Sequence, residues 1–559
     1  MFIPTTYKEI KQLGWEKLDI ILISGDVYLD SYYDGSALLG KLLISKGYKV
    51  GIISQPDISN SEDITRLGEP SLFWGVSAGC VDSMVANYTA LLKKKRSDDL
   101  TPGNINDRRP DRAVIKYTNL IRQYFKNTKP IVIGGIEASL RRITHYDYWT
   151  DSIRKSILFD SKADYLIYGM AEKTIIEVAG NLKNDRNLES IRGLCYVSKN
   201  KVDDYLELPS FDEVKNDKLK FIEMFHKFYQ NNDPINALGL CQKHDTRYLI
   251  QNPPNYYLSQ KELDNIYGLE FERDVHPFYK KQGKVKALET IQFSINSHRG
   301  CYGECNFCAI AVHQGRTIRS RSRKSVIEEA KTITKHKDFK GIISDVGGPT
   351  ANMFDNKCKL QLTKGSCKDR RCMLPERCTA MKINHSSQID IFDEIKKIPE
   401  VRKVFIGSGL RYDLIIEDKK AGERYLFKLV KDHVSGQLKI APEHISYNVL
   451  ELMGKPSNKK LLEFRKKFNE FSQNAGKKHF LTYYLIAAHP GCEQDDMEEL
   501  KSFVRKELKL NPEQMQVFTP TPSTYSTLMY YTELNPNTLK PIFVEKGLKG
   551  KRKQLLIVN

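Results

Sequence analysis

The chain alternates short apolar stretches with amphipathic helical patterns, and this alternation is what most restricts its fold. The first array of such segments predicts a helix over 35–45 and parallel strands at 18–24, 49–54, 72–76, 130–134 and 165–168. Apolar stretches of this length, separated by helical patterns, favour βαβ units and a sheet covered by helices. We therefore predict an α/β fold whose N-terminal part, residues 1–205, is a Rossmann-like domain.

A second array follows a charged segment at 206–285, which we predict to be a helical connector. Its strand candidates are 287–295, 341–345, 403–407, 438–441, 480–487 and 515–518. Helical patterns separate these strands, which suits a β/α partial barrel over 286–545, although a second open, doubly wound sheet has the same spacing. An insertion at 355–380 and a short C-terminal tail at 546–559 complete the predicted organisation.

Three cysteines with C-x3-C-x2-C spacing follow the first strand candidate of the second array: Cys301, Cys305 and Cys308. Structural zinc takes four protein ligands, and a ferredoxin-type cluster takes four thiolates. Three close thiolates therefore indicate an iron–sulfur cluster with one iron left open, and Gly300 and Gly303 allow a tight loop around it. Two alternatives are three buried thiols without a metal, and an ordinary site completed by a distant fourth cysteine.

A second group of thiols lies in the insertion with C-x8-C-x4-C-x5-C spacing: Cys358, Cys367, Cys372 and Cys378. Four thiolates fit either structural zinc or an auxiliary iron–sulfur cluster, so we predict a second metal site without choosing its occupant. The alternative is uncoordinated thiols, although so polar a loop offers little apolar core in which to bury them.

The composition indicates a folded protein of a reducing compartment. Hydrophobic residues make up 40% of the 559 positions, and clustered cysteines without a signal-like leader favour metal sites over disulfides. Because we find neither a leader nor an apolar run long enough to span a bilayer, we expect a cytoplasmic protein without a membrane partner. The net charge of +19 suits a nucleic-acid partner, but the basic residues are spread along the chain except at 316–324.

The cysteine loop, with Phe307 before its last cysteine, resembles the signature of the radical S-adenosylmethionine (SAM) superfamily. Within that superfamily the chain resembles the YgiQ family. This resemblance extends from about residue 14 to 550 and is carried by the motifs W-G-V-S-A-G at 74–79, R-P-D-R at 109–112, G-G-I-E-A-S-L-R-R at 134–142 and H-Y-D-Y-W at 145–149.

The resemblance implies a cobalamin-binding-like N-terminal domain followed by a radical SAM partial barrel. It further implies that Cys301, Cys305 and Cys308 hold a 4Fe-4S cluster that binds SAM and cleaves it reductively to a 5′-deoxyadenosyl radical, which abstracts hydrogen from a substrate that we do not identify. The implied contacts to SAM or substrate are Phe307, Gly347, Gly348, Pro349, Ser408, Arg411 and Glu443. No residue is assigned a catalytic role.

Two further expectations concern ligands and partners. A flavodoxin- or ferredoxin-type protein is the implied electron donor. We do not predict bound cobalamin, because the D-x-H-x-x-G cobalt-ligand motif is absent and Tyr32 stands where its histidine would fall.

Two other hypotheses remain beside a radical SAM enzyme of unknown substrate. The first is a non-catalytic, metal-containing protein that binds nucleic acid through its basic surface. In the second, Arg411 and Glu443 pair with each other in a structural salt bridge instead of contacting a ligand.

Overall fold

The computed structural model describes residues 1–509 and 515–558, which form two compact units. The first unit comprises 1–257, 269–292 and 521–523, and the second comprises 258–268, 293–520 and 524–559. In the described part of the chain, no helix has both the length and the apolar character needed to cross a bilayer.

A nine-stranded sheet forms the centre of the first unit. Its strands, in spatial order, are Val50–Ser54, Ile20–Ser24, Phe73–Ser77, Ile131–Gly134, Tyr165–Ile167, Leu194–Ser198, Arg247–Gln251, Leu240–His244 and Leu206–Leu208. The first five pair in parallel, as the sequence predicts, because helical crossovers connect them. A separate hairpin joins His145–Asp147 to Ser152–Arg154.

Helices and turns complete the first unit. They are Tyr7–Gln12, Gly35–Ser45, Glu62–Thr65, Ser83–Asn87, Pro102–Asn104, Ala113–Tyr124, Gly135–Leu140, Ile157–Ser161, Glu172–Lys183, Phe211–Asn216, Lys218–Gln230, Pro277–Lys280 and Leu288–Ile291. Fully buried Ile20, Ile52 and Phe73 on adjacent strands pack in the same core as Leu43 of the helix Gly35–Ser45.

The segment 206–285 differs from the predicted helical connector. It contributes the strands Leu206–Leu208, Leu240–His244 and Arg247–Gln251, all of which join the large sheet. Antiparallel pairing of the last two across a two-residue turn is possible because Asp245 adopts a φ of 55°. The polar residues that obscured these strands are in part buried with the apolar ones, since Gln242 is 1% exposed and stands in register with buried Leu249.

In the second unit, the strands of the predicted array pair in parallel with the next one along the chain, except for the third and fourth. Ser294–Asn296 pairs with Asp345–Gly347, Ile342–Ile343 with Lys403–Val404, and Gln437–Glu443 with Phe480–Ala487, which pairs in turn with Met515–Val517. The third and fourth strands are linked by an isolated parallel bridge between Leu410 and Ile440. Sequential parallel order is what a β/α barrel requires.

The remaining strands and the helices of the second unit surround this array. The short strands are His298–Arg299 and Arg319–Ser320, and the helices are Gln260–Tyr267, Ile310–His313, Arg323–Thr334, Lys359–Lys364, His385–Lys396, Tyr412–Glu417, Gly422–Lys428, Tyr447–Met453, Lys459–Asn474, Gln494–Phe503, Tyr525–Thr532 and Leu548–Val558, with π-helical turns at Leu429–His433 and Val504–Leu508. The predicted tail is largely the last of these helices, with Asn559 outside the described residues, and Val558 packs into the core.

A buried acid at the start of a helix in the first unit gives a testable pH dependence. Asp34 caps the helix Gly35–Ser45 by accepting from the Ser36 N–H at 2.8 Å, and burial, reinforced by the nearby Asp26 carboxylate, raises its pKa to about 8. Because the pKa is higher in the folded chain, folding takes up a proton. The contribution of Asp34 to the free energy of unfolding is complete below its unfolded pKa and is lost as pH rises through about 8. Each unit of difference between the folded and unfolded pKa contributes about 1.4 kcal/mol.

We expect Asp34→Asn to remove this dependence while keeping the cap, since asparagine is an equally good N-cap. The measurement is the free energy of unfolding at about pH 5 and about pH 8. Asp57→Asn, at an exposed position, is the control and keeps the wild-type slope. An unchanged slope in Asp34→Asn would show that Asp34 is ionised in the folded protein.

Candidate functional site

The three-cysteine loop follows a short strand of the second unit and precedes the helix Ile310–His313. Gly300 has a φ of 79°, and a Cβ at this position would lie 2.3 Å from the carbonyl oxygen of Thr317. Only glycine fits there, because both the backbone conformation and the close approach exclude a side chain. The chain can therefore turn sharply between the strand His298–Arg299 and Cys301.

The thiols of this loop are buried or half-buried and lie near positive charges. Gly303 N–H donates to Cys301 Sγ at 3.3 Å, and a Cβ on Gly303 would lie within 3.8 Å of the Cys305 sulfur. Burial raises the pKa of Cys305, while the cations of Lys455 and Arg411 oppose that rise. Burial is also the main cause of the Cys308 pKa of about 12. Binding iron would take the proton from each thiol, and the two cations favour the resulting thiolates.

The number of donors fits a cluster better than a structural zinc ion. Structural zinc takes four protein ligands, whereas a cluster with one open iron takes three thiolates, as this loop supplies. Cys308 interacts electrostatically with both Cys301 and Cys305, so the three thiols lie near one another.

The Gly-Gly-Pro segment packs against the strand that leads into the cysteine loop. Gly347 pairs in parallel register with Asn296, and Ser297 Oγ donates to the Gly347 carbonyl oxygen at 2.9 Å. A Cβ on Gly348 would lie 2.6 Å from Cε1 of His298. The His298 imidazole is fully buried, and burial lowers its pKa to about 4, so it is neutral at neutral pH. Gly348 thus lets backbone and imidazole pack directly together.

We expect Gly348→Ala to destabilise the second unit by about 1–3 kcal/mol, because the new methyl group overlaps the His298 ring and the surrounding core is close-packed. Gly409→Ala is the matched control, since a Cβ there has no heavy atom within 4 Å. Denaturant unfolding of the two variants, together with equilibrium dialysis of SAM, measures the difference. Equal stability of the two variants would contradict this packing argument.

Ser408 lies just after the strand Lys403–Val404, and its hydroxyl donates to the carboxylate of Asp345. The same carboxylate accepts from the Gly407 N–H at 2.9 Å, and burial raises its pKa. Sequence analysis assigned Ser408 to ligand contact and gave Asp345 no role. The signal for Asp345 was its position, because an acid at the end of a buried strand beside a glycine pair needs partners.

Arg411 and Glu443 do not pair with each other, which corrects the alternative that they form one salt bridge. Arg411 instead donates twice to Asp413, at 2.9 Å from Nε and 2.5 Å from Nη2. Glu443 lies 3.5 Å from Lys455 Nζ and has a φ of 67°, an uncommon conformation for a non-glycine residue and one often found at functional sites. Arg411 also lies against the cysteine loop, with Nη1 3.0 Å from where a Gly303 Cβ would stand.

The predicted site residues therefore lie at or just beyond the carboxyl ends of successive parallel strands. Gly347 and Glu443 end their strands, and Ser408 follows its own. Phe307 packs against the main core of this unit and meets His489 edge-on at 6.4 Å. Loops at this edge of a β/α array commonly bind ligands.

The corresponding edge of the first sheet is occupied by the chain's own polar side chains. Arg109 donates to the Gly25 carbonyl oxygen at 3.1 Å and pairs with Asp26 at 2.5 Å and with Asp98 at 3.1 Å. Gln55 Nε2 donates to the same carbonyl at 3.0 Å. These groups satisfy one another where a ligand of a doubly wound sheet would bind.

Comparison with known proteins gives consistent findings. Residues 2–294 match the family model described as Radical SAM N-terminal. A UPF0313 protein of Fusobacterium nucleatum is 58% identical over 100% of this chain and 98% of its own length, and one of Thermotoga maritima is 48% identical over 99% and 97%.

Two solved structures share the fold at 13% identity. The radical SAM methyltransferase TsrM from Kitasatospora setae, with cobalamin and a [4Fe-4S] cluster bound, has a TM-score of 0.51 and covers 91% of this chain and 76% of its own. The cobalamin-dependent SAM radical enzyme OxsB, with aqua-cobalamin bound, has a TM-score of 0.52 and covers 93% and 56%.

Two observations bear on the cobalamin of these neighbours. Tyr32 stands where the histidine of the cobalt-ligand motif would fall, and at the sheet edge Arg109 pairs with Asp26 while Arg109 and Gln55 both donate to the Gly25 carbonyl oxygen. That the protein functions without cobalamin remains a prediction.

Proposed function

Because this chain belongs to the UPF0313 (YgiQ) family of radical SAM proteins, we propose that it is an enzyme that cleaves SAM reductively to begin hydrogen abstraction from a substrate. The observation that carries the proposal is the half-buried three-thiol loop beside Arg411 and Lys455, at the carboxyl ends of parallel strands. Cys301, Cys305 and Cys308 would hold the 4Fe-4S cluster.

When bound, the cluster supplies one electron that cleaves the SAM sulfonium to methionine and a 5′-deoxyadenosyl radical. The protein's own residues would position SAM. The Gly347–Gly348 backbone is fixed in position by Ser297 and His298, and Lys455 and Arg411 supply positive charge beside the thiolates. Burial of these groups excludes water and strengthens each electrostatic contact.

Ser408, Glu443, Phe307 and Pro349 are proposed to shape the SAM or substrate pocket. Ser408 shares the Asp345 carboxylate with the Gly407 N–H, which fixes the loop in place. The Glu443 carboxylate lies 3.5 Å from Lys455 Nζ. To accept from an amino or hydroxyl group of a ligand, this carboxylate must either move away from Lys455 or contact both groups at once.

We propose a flavodoxin- or ferredoxin-type protein as the electron donor, and the net charge of +19 would favour association with an acidic donor. Family membership does not favour a non-catalytic nucleic-acid-binding role, and we do not propose one.

The test is anaerobic reconstitution of the full chain with iron and sulfide, reduction with dithionite, addition of SAM and chromatography for 5′-deoxyadenosine. Samples without dithionite or without SAM are the controls. Release of 5′-deoxyadenosine only in the complete reaction is the expected result. An intact, reduced cluster that neither releases it nor changes its electron paramagnetic resonance (EPR) spectrum on addition of SAM would overturn the proposal.

A further inference from the structure

The four cysteines of the insertion lie near one another in the structure. The Cys378 N–H donates to the Cys372 carbonyl oxygen at 2.8 Å. Burial raises the pKa of Cys372 to about 12, and the negative potentials of Glu304 and of the thiols of Cys358, Cys367 and Cys378 add to that rise. All four cysteines are free thiols, with Cys358 buried and the other three half-buried.

The insertion has little else to stabilise its fold. Between Cys358 and Cys378 it forms one short helix, Lys359–Lys364, and Met373 is its one buried large apolar side chain. Leu360 is 50% exposed. A segment that buries so little apolar surface gains little to offset the entropy lost on ordering, and a bound metal would supply the missing free energy.

Four thiolates can hold either a zinc ion or an iron–sulfur cluster. Only a cluster could also exchange electrons with a centre on the first cysteine loop, and residues of the insertion share an apolar cluster with that loop. This proximity is the ground on which we choose a cluster, and the metal content of the variants below tests the choice.

The insertion packs directly against the first cysteine loop. Tyr302 is 1% exposed and shares an apolar cluster with Cys358, Cys372, Met353 and Met373, against which Cys301 also packs. A second contact passes through Glu304. Its carbonyl oxygen accepts from Arg371 Nη1 at 3.1 Å, and its carboxylate accepts from Arg316 Nη1 at 3.0 Å. Residues of the two loops thus form a continuous packed layer.

We propose that Cys358, Cys367, Cys372 and Cys378 bind a second iron–sulfur cluster, of the four-thiolate kind, packed against the first cysteine loop. With every corner ligated by protein, this cluster would have no open iron for SAM, so its role is to order the insertion and carry electrons. Each thiol loses its proton on binding. Basic side chains of the insertion offset the added negative charge: Lys359, Lys364, Lys368, Arg370, Arg371 and Arg377. This proposal rests on the proposed function in one respect only, namely that the first cysteine loop holds the cluster that binds SAM.

Two cysteine variants of the full chain separate the two sites. One replaces Cys301, Cys305 and Cys308 with alanine, and the other replaces the four insertion cysteines. We expect anaerobically reconstituted wild type to bind about twice the iron and sulfide of either variant. The first variant should keep a reducible cluster whose EPR spectrum does not respond to SAM, and the second should keep one that does. Cys195→Ala, a buried cysteine of the first unit, is the control with wild-type iron content.

The variant without the four insertion cysteines risks misfolding. The decisive measurement is therefore the iron content of the variant without Cys301, Cys305 and Cys308, because its insertion is intact. Adding Cys367→Ser to that variant should remove the remaining cluster. The reference is a chain in which all seven cysteines are replaced. If the variant without Cys301, Cys305 and Cys308 binds no more iron than this reference, or binds zinc in place of iron, the second cluster is overturned. A SAM-responsive spectrum in the variant without Cys301, Cys305 and Cys308 would also overturn it, because the insertion cluster is proposed to have no open iron for SAM. If wild type carries both clusters but neither releases 5′-deoxyadenosine nor responds to SAM, the proposed function fails while the second site stands.

Discussion

Replacing Cys305 with alanine is expected to lower the rate of 5′-deoxyadenosine formation by more than about 100-fold, because a cluster left with two thiolates loses the iron geometry that binds SAM. Cys305 lies in the centre of the loop, near Lys455 and Arg411, so its loss also removes a thiolate that both cations would stabilise. The reconstituted variant is assayed with dithionite and SAM beside wild type.

Cys195→Ala is the matched control for this substitution. Cys195 is also a buried thiol, but it lies on the strand Leu194–Ser198 of the first unit and acts there as a small apolar side chain. It should keep wild-type turnover with only a modest loss of stability. Turnover by Cys305→Ala at the wild-type rate, with full iron content, would contradict the assignment of this thiol to the cluster.

The parallel strands of both units were predictable because their signal is local. Ile20–Ser24 and Val50–Ser54 are buried at every position, so each appears in the sequence as an unbroken apolar stretch bounded by polar residues. The strands Leu240–His244 and Arg247–Gln251 were missed, since Gln242, Lys243 and Arg247 interrupt any such stretch. Their two-residue Asp-Thr turn was the available clue.

The partners of the site residues were harder to predict, because they depend on contacts between distant segments. Ser408 bonds to Asp345, 63 residues away, and Glu443 lies near Lys455 across a strand end. Arg411 illustrates the opposite case, since its partner Asp413 is two residues away and was still overlooked. Hydrophobic periodicity places elements in the fold, but it carries no information about which charges face each other across them.

The Arg411–Asp413 pair allows stability and function to be separated. Both side chains are largely buried, at 11% and 5% exposed. We expect Arg411→Met to cost about 3–5 kcal/mol of unfolding free energy, because it leaves the Asp413 carboxylate buried without its cation. Arg411→Met combined with Asp413→Asn should regain most of that loss, since neither charge remains buried. Arg323→Met, which breaks an exposed pair with Glu394, should cost about 0–1 kcal/mol.

The pH dependence of the single variant provides an independent check. Burial alone would raise the pKa of Asp413, but the Arg411 cation and its hydrogen bonds lower it below the ordinary value. In wild type, the stabilisation from Asp413 is therefore present above its unfolded pKa and lost as pH falls through the folded one. Without Arg411, burial is opposed only by Lys455 and the Leu414 N–H, so the folded pKa of Asp413 rises. We expect the single variant to lose stability relative to wild type as pH rises from about 5 to about 8. Denaturant unfolding at about pH 5 and about pH 8 measures this difference.

Activity of the double variant then decides the role of Arg411. If the guanidinium acts on SAM or on the cluster thiolates, the refolded double variant should bind iron normally and still release 5′-deoxyadenosine at least about tenfold more slowly, which corresponds to about 1.4 kcal/mol of lost transition-state stabilisation. Wild-type turnover in a double variant of restored stability would instead show that Arg411 serves only to neutralise Asp413. Because stability is matched, a loss of turnover cannot be attributed to unfolding, and the positive charge beside the thiols is the remaining difference.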